Sequence, residues 1–205
     1  MELDRDGCFI RDAAVTEVQC DEIISYLPDC ATAGSRDMLA HGWCTDLAEQ
    51  IRNCLSVEIP ELHRLKAIQC TLFQKKADRN WLVPWHQDRS LPVTYKREYV
   101  AENRVRKKEG VSLYQPAVTV LEKVLAVRLH LDANIESNGP LRVMPGSHTA
   151  GIFSIEGLKR VHLNYIPQTI LAKKGSLFCL RPLLVHASSK ITTDQPRRVL
   201  HFVYA

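Results

Sequence analysis

Short segments of alternating hydrophobic and polar residues dominate the chain from residue 66 onward and predict β-strands. In the clearest of them, residues 125–132, four aliphatic residues alternate with a second set that includes Arg128 and His130. Because successive side chains of a strand point to opposite faces, this strand should have one apolar and one polar face. Further strands, separated by turn signals such as Asn138-Gly139-Pro140, are predicted near residues 7–10, 67–74, 82–86, 141–144, 169–172, 176–180 and 197–204.

The first 65 residues have a helical pattern instead. Thr16 and Gln19 have the spacing of a capping box, which predicts a helix from there to about residue 27, before Pro28. A second helix is predicted after Thr45, with an apolar face formed by Leu47, Ile51, Cys54 and Leu55. Helices followed by many short strands favour a mainly β fold, a sandwich or open barrel with an N-terminal helical cover.

Composition is that of an ordinary globular protein of one domain, with 205 residues, 45% of them hydrophobic and 24% charged. The seven cysteines include no C-x-x-C pair, which argues against a zinc ribbon and a disulfide framework and favours a reducing compartment. The N-terminus lacks the features of a secretory signal, and no apolar run approaches the roughly 20 residues of a membrane span. We therefore expect a cytoplasmic protein without membrane association.

The net charge of +4 is too modest to indicate a nucleic-acid-binding protein. The densest basic group, Lys96–Lys108, also contains acidic residues. The electrostatic field of this modest positive charge would still help to attract an acidic substrate or co-substrate. A small molecule is therefore the expected partner, rather than a nucleic acid.

The triplet His86-Gln87-Asp88 is the strongest candidate for chemistry. In an extended segment, side chains two residues apart point to the same side, so His86 and Asp88 can reach one metal ion. Two histidines and a carboxylate on one face form the facial triad of non-haem Fe(II) oxygenases. Taken alone, however, the H-x-D pattern is weak and is more typical of a solvated surface loop.

The third ligand would have to come from elsewhere, and His186 follows an apolar run that should be a buried strand. A histidine in such a run is more often a packed core residue. Arg197 lies eleven residues later, and a hairpin between the two would bring its guanidinium into the same barrel. A buried guanidinium suits the distal carboxylate of 2-oxoglutarate, whereas Arg198 should face solvent by strand alternation.

These segments resemble the phytanoyl-CoA dioxygenase family. The resemblance covers essentially the whole chain and is most specific in the N-G-P-L-R-V-M-P-G-S-H stretch from Asn138 to His148. The other segments that carry it are Trp85-His86-Gln87-Asp88, the pair His186 and Arg197, and the opening Asp6-Gly7-Cys8-Phe9-Ile10.

The resemblance implies a double-stranded β-helix, a jelly-roll or cupin-like barrel of two antiparallel sheets. We expect one oxygenase domain over residues 1–205, with a helical cover at 1–65, a barrel at 66–205 and a lid-like insert at about 89–116. The resemblance also implies iron ligation by His86, Asp88 and His186. It implies that Arg197, assisted by Ser188, binds the far carboxylate of 2-oxoglutarate.

Other residues are candidates for substrate or co-substrate contact, each with an ordinary structural alternative. Arg128 could reach the barrel mouth or form a surface ion pair with Asp132 or Glu136. Lys75 could point into the barrel or be exposed, and Trp85 could wall the site or belong to the core. His148, the rival third ligand, is interpreted as structural because no arginine follows it at a matching distance.

The expected activity is that of an Fe(II)/2-oxoglutarate-dependent dioxygenase, which uses O2 and releases succinate and CO2. It would hydroxylate or desaturate an unactivated C–H bond of a small or medium organic substrate. Iron halogenases replace the carboxylate ligand with a small residue, so Asp88 disfavours chlorination. Alkyl-lesion repair enzymes have a second arginine where this chain has Val203. The alternative is a cupin-like module that binds metal and 2-oxoglutarate without turnover.

Overall fold

A computed structural model describes residues 1–28, 34–95 and 105–205. The helices are α1 Leu3–Asp6, α2 Glu17–Ser25, α3 Gly42–Leu55, α4 Val118–Leu121 and α5 Ile155–Arg160. The strands are β1 Cys8–Arg11, β2 Gly34–Ser35, β3 Ala67–Lys75, β4 Val83–His86, β5 Leu91–Pro92, β6 Arg106–Lys108, β7 Val111–Tyr114, β8 Leu125–His130, β9 Leu141–Val143, β10 Gln168–Thr169, β11 Leu177–Leu180, β12 His186–Ser188 and β13 Arg197–Tyr204.

Two antiparallel sheets form the body of the fold. The larger has six strands in the order β1-β11-β8-β13-β3-β2, and the smaller has four in the order β10-β9-β12-β4. Apolar side chains from both sheets meet in one cluster, which includes Ala126 and Phe178 from the larger and Leu141 and Val143 from the smaller. The arrangement is an open jelly-roll barrel, or double-stranded β-helix, and it confirms the predicted mainly β fold class.

The helices α2 and α3 cover the outer face of the six-stranded sheet. Leu47 and Ile51 of α3 belong to the same buried cluster as Val127 and Leu129 of β8. The predicted capping box is present, since the Thr16 hydroxyl accepts from the Gln19 amide and the Gln19 side chain accepts from the Thr16 amide. None of the described helices is long and apolar enough to cross a bilayer.

Helix α3 begins at Gly42, earlier than the sequence predicts. The Thr45 hydroxyl does not cap the helix; it donates to the Gly42 carbonyl at 2.7 Å, one turn earlier. The helix therefore buries Cys44 and Ala48 as well, whereas Cys54 is only half-buried. The six cysteines described are free thiols, and Cys30 lies outside the described residues.

Part of the segment predicted to be an irregular insert forms a small sheet. Strands β5, β7 and β6 pair in that order, and β6 and β7 make a hairpin. Glu109 and Gly110 between them both have positive φ angles, 48° and 84°, as two-residue hairpin turns require. The remaining basic residues of Lys96–Lys108, up to residue 104, lie outside the described residues.

The region around His186 differs from the predicted strand and hairpin. His186 begins strand β12 instead of ending one, because residues 182–184 form a turn that starts at Pro182. A hydrogen bond from the Leu184 amide to the Arg181 carbonyl closes this turn. The apolar residues of that turn are nevertheless buried. Strand β12 belongs to the smaller sheet and β13 to the larger. The chain between His186 and Arg197 therefore crosses the barrel rather than making a hairpin.

Candidate active site

Strands β4 and β12 bring three potential metal ligands together at one end of the barrel. His86 and His186 are opposite each other in the strand register, and Asp88 lies two residues beyond the end of β4. The ligating atoms of the three residues all lie within 4.8 Å of one another. Asp88 Oδ1 is 3.8 Å from His86 Nε2, and Asp88 Oδ2 is 3.6 Å from His186 Nε2.

The hydrogen bonds of both histidines leave a nitrogen lone pair free toward the centre of this cluster. Nδ1 of His86 lies 2.9 Å from the Pro84 carbonyl, and Nδ1 of His186 lies 2.8 Å from the Leu184 carbonyl. Because a carbonyl only accepts, each Nδ1 must carry the proton, and each Nε2 is then available to a metal. Burial, and then the neighbouring His86, lowers the pKa of His186 to about 4, so its imidazole is neutral.

Asp88 supplies the negative charge of the cluster. Burial acts to raise its pKa, but the nearby His186, His86, His201 and Arg128 outweigh that effect, and the pKa lies well below its usual range. An ionised carboxylate and two imidazole Nε2 atoms on one side of a point in space fit a divalent transition metal. The donor set therefore has the chemistry that the facial triad requires.

Gln87 fixes the chain between His86 and Asp88. Its buried side chain donates to the carbonyls of Gly151 and Leu183 at 2.7 Å and accepts from the amide of Phe153 at 2.9 Å. Three hydrogen bonds to backbone groups of other segments prevent the strand end from turning. Gln87 is thus a positioning residue for the side chains on either side of it.

A second polar cluster lies at another level of the barrel interior. Lys75 and Arg197 face each other on neighbouring strands, and both are buried, although exposure was the expected alternative for Lys75. Lys75 Nζ donates to the Ser188 hydroxyl at 2.7 Å, and that hydroxyl donates to the Gly139 carbonyl at 3.1 Å. The same carbonyl accepts from Arg197, whose Nε has no partner. The N-G-P-L-R-V stretch thus supplies a backbone acceptor to this cluster.

These two cations have no carboxylate partner within the described part of the chain. Burial, and then Arg128, lowers the pKa of Arg197 to about 9. Burial, Arg197 and Arg128 lower the pKa of Lys75 to about 7, and Lys75 Nζ also lies 5.1 Å from the centre of the Trp81 ring. Unpaired buried positive charge is costly, so the cluster is suited to an anionic ligand.

Arg128 and His201 form a third group, at the level of Asp88. They pair across β8 and β13, and an Arg128 amino group lies 3.3 Å from His201 Nδ1. Sequence reasoning missed His201. Strand alternation could have identified it, because residues 197, 199 and 201 of one strand point to the same face. Asp132, one of the two surface partners considered as the alternative for Arg128, pairs instead with Arg198 at 2.6 Å.

The other histidines and Trp85 lie away from the cluster. Trp85 is on the opposite face of β4 from His86, packed near Val185, with the Arg142 guanidinium 5.1 Å from its ring centre. His148 contacts the other end of the chain, where its Nε2 is 3.2 Å from the Asp4 carbonyl. His130 is buried in the barrel wall with neither ring nitrogen partnered.

A cavity of about 340 Å³ connects the three groups. Its walls include His86, Asp88 and His186, the Lys75–Arg197–Ser188 cluster, and Arg128 with His201. Trp81 and Phe73 line it, whereas Trp85 does not. The metal-ligand cluster and the buried cations therefore share one chamber of the size that small-molecule sites have.

The fold is shared with several crystal structures at low sequence identity. The carbocyclase SnoK from nogalamycin biosynthesis, described as non-heme and alpha-ketoglutarate-dependent, superposes with a TM-score of 0.69 and 14% identity, over 98% of this chain and 80% of that chain. EctD from S. alaskensis gives a TM-score of 0.67 and 18% identity, over 98% and 74%. HygX from Streptomyces hygroscopicus, whose structure contains iron, gives 0.66 and 15%, over 99% and 83%.

The sequence itself identifies the family. No curated protein sequence matches the chain. The family model for phytanoyl-CoA dioxygenase, in contrast, matches residues 30–199, most of the chain. Members of that family are enzymes that use Fe(II), 2-oxoglutarate and O2. The chain therefore belongs to the phytanoyl-CoA dioxygenase family of Fe(II)/2-oxoglutarate-dependent oxygenases.

Proposed function

We propose that this chain hydroxylates or desaturates an unactivated C–H bond of a small or medium organic substrate, with succinate and CO2 as co-products. His86, Asp88 and His186 would hold the iron. The observation that carries the proposal is the convergence of these three side chains, with both Nε2 lone pairs free, in a cavity that also contains unpaired buried cations.

The protein would bind and orient the metal and the substrates, and it would exclude water from the site. Bound iron would supply the oxidising chemistry together with 2-oxoglutarate and O2. The backbone carbonyls of Pro84 and Leu184 hold the two imidazoles in one tautomer, and Gln87 holds the intervening chain. Three protein ligands on one face leave the remaining positions of the metal open to the co-substrate and O2.

The Lys75–Arg197–Ser188 cluster would bind the far carboxylate of 2-oxoglutarate. The planar fork of Arg197 matches a carboxylate, and the Ser188 hydroxyl already lies between the two cations. The free-energy cost of removing a carboxylate from water would be offset here by its attraction to the buried cationic side chains. The cluster would thereby select a diacid over a neutral keto compound.

We further propose a single oxygenase domain in which the segment at about 89–116 acts as a lid that helps to select the substrate. Of its described residues, Arg89, Ser90, Leu91, Lys108 and Leu113 line the cavity. A cover on this side of the cavity would exclude water during the reaction.

The test is 2-oxoglutarate-dependent succinate formation after anaerobic loading with Fe(II) and ascorbate, screened over small organic substrates. Substrate-coupled turnover should disappear in His86→Ala and persist in His63→Ala, a control at an exposed histidine. Turnover that survives in His86→Ala would contradict the ligand assignment. Metal and 2-oxoglutarate binding without any succinate would indicate a binding module.

A further inference from the structure

The cavity is strongly biased toward positive charge. Among its described lining residues, Asp88 is the one carboxylate. Six cationic side chains share the same walls: Arg36, Lys75, Arg89, Lys108, Arg128 and Arg197. Arg36 forms an ion pair with Glu109 at 3.0 Å, and the other five form no ion pair with another residue of the described part of the chain. A cleft lined by one sign of charge concentrates ligands of the opposite sign.

Arg128 lies close enough to Asp88 to lower the pKa of that carboxyl, and it has few partners of its own. Its side chain is 6% exposed, its Nε has no hydrogen-bond partner, and one of its amino groups faces His201. Within the described residues it forms no ion pair. Burial lowers the pKa of Arg128 to about 10, and Asp88 acts in the opposite direction, so the guanidinium stays charged at neutral pH. A buried charge that lacks a partner costs free energy, and an anionic ligand bound to it would offset that cost.

His201 holds Arg128 in place through a defined tautomer. Because a guanidinium only donates, Nδ1 of His201 must accept from it, and the proton must be on Nε2. That Nε2 lies 3.8 Å from Asp88 Oδ2, and the ring packs edge-on against Phe73 with centroids 5.9 Å apart. Arg128 also stacks on Phe73, at 5.5 Å from the ring centre. Both contacts fix the guanidinium on the cavity wall beside Asp88.

The co-substrate does not account for this cation. Arg128 pairs with His201, which lies four residues, or about 13 Å, along β13 from Arg197. Iron would contribute two positive charges, and Lys75, Arg197 and Arg128 one each. Against these stand one negative charge from Asp88 and two from 2-oxoglutarate. Positive charge remains in excess even when Lys75 is neutral, and among the buried cations Arg128 is the one left without a counter-charge.

We propose that the primary substrate carries an oxyanionic group, a carboxylate or a phosphate, and that Arg128, held by His201, binds this group beside the His86–Asp88–His186 cluster. The proposal rests on the function proposed above and names its substrate class. Both oxyanions match the planar fork of a guanidinium. Anchoring one end of the substrate at Arg128 would orient a neighbouring C–H bond toward the metal position.

Matched ligand pairs test the proposal with the full chain loaded with Ni(II) and saturating 2-oxoglutarate. The probes are short carboxylic acids with their primary amides, and phosphate monoesters with their parent alcohols, titrated by calorimetry. At least one anion should bind and its neutral counterpart should bind at least about 30-fold more weakly. Arg128→Gln should remove that preference, and Arg128→Lys should retain part of it. Arg198→Gln, at a surface ion pair, is the control and should behave as the wild type.

Each arm has a decisive result. A preference for carboxylates or for phosphates identifies which oxyanion the substrate carries. No preference for any anion in the wild type, or a preference that Arg128→Gln keeps, overturns the proposal without requiring any variant to be active. If Arg128→Gln weakens 2-oxoglutarate binding as much as Arg197→Gln does, Arg128 serves the co-substrate instead. Absence of succinate formation by the wild type would overturn the proposed function itself.

Discussion

Lys75 and Arg197 lie directly opposite each other on strands β3 and β13, with both side chains pointing into the barrel and almost completely buried. Like charges in opposing positions of a sheet destabilise it, and burial adds a further cost. The Ser188 hydroxyl and the backbone carbonyls of Gly139 and Ser189 offset only part of that cost. The pair is therefore arranged for a negative ligand at the expense of stability.

Replacing Arg197 should weaken the binding of 2-oxoglutarate. Arg197→Gln removes a charge-assisted, buried contact, and we expect a loss of about 2–5 kcal/mol in the binding of 2-oxoglutarate to the Ni(II)-loaded protein. Titration calorimetry with 2-oxoglutarate measures this loss of binding free energy. Arg198→Gln is the matched control, since Arg198 is next in sequence but pairs with Asp132 on the outer side. Equal affinities of the two variants would assign the co-substrate carboxylate to another basic residue.

The stability of the ligand-free protein should depend on the charge of Lys75. Burial, Arg197 and Arg128 lower the pKa of Lys75 from 10.5 to about 7 in the folded protein. Between these two values the unfolded chain binds more protons, so the free energy of unfolding rises with pH across that window. Relative to Lys75→Met, the wild type should gain about 4 kcal/mol from the lower to the upper end.

Urea unfolding at several pH values, with the wild type and Lys75→Met side by side, measures this difference. Lys190→Met, a substitution of an exposed lysine, is the control and should follow the wild type at every pH. Parallel curves for the wild type and Lys75→Met would show that Lys75 keeps its ordinary pKa in the folded state.

Gln87 should matter for metal affinity without touching the metal. Gln87→Leu keeps the approximate volume but removes three hydrogen bonds to the backbone of neighbouring segments. We expect a loss of about 10–100-fold in affinity for the divalent metal, as for other residues that orient ligands. Circular dichroism should show a folded protein, and Gln50→Leu on the exposed side of α3 should bind metal normally. Unchanged metal affinity would make Gln87 purely structural.

Gly139 should tolerate no side chain. It has a φ angle of 69°, and an added Cβ would lie 2.4 Å from the Ser189 carbonyl oxygen. Gly110 also has a positive φ, 84°, but nothing lies near its added Cβ, so it isolates the conformational cost of about 1–2 kcal/mol. Gly139→Ala should lower the free energy of unfolding by clearly more than Gly110→Ala. It should also weaken 2-oxoglutarate binding, because the Gly139 carbonyl accepts from Arg197.

The sequence by itself determined the faces of the strands and much of the chemistry. Alternation separated Arg197 from Arg198 and placed Arg128 and His130 on one side of β8, and the structure has these arrangements. The capping box at Thr16 and the two N-terminal helices ahead of most strands were also predicted, because these signals are local. The spacing of His86 and Asp88 suggested a metal site for the same reason.

Only the tertiary structure decided what each face meets. The polar face of β8 is as buried as its apolar face, since the smaller sheet closes over it. Lys75 is buried rather than exposed, and His201 lies beside Arg128 because β13 pairs with β8 at that position. His186 and Arg197 belong to different sheets, so no hairpin rule relates them. A two-residue period states which side chains share a face, but the burial and the charge of that face depend on segments far away in the chain.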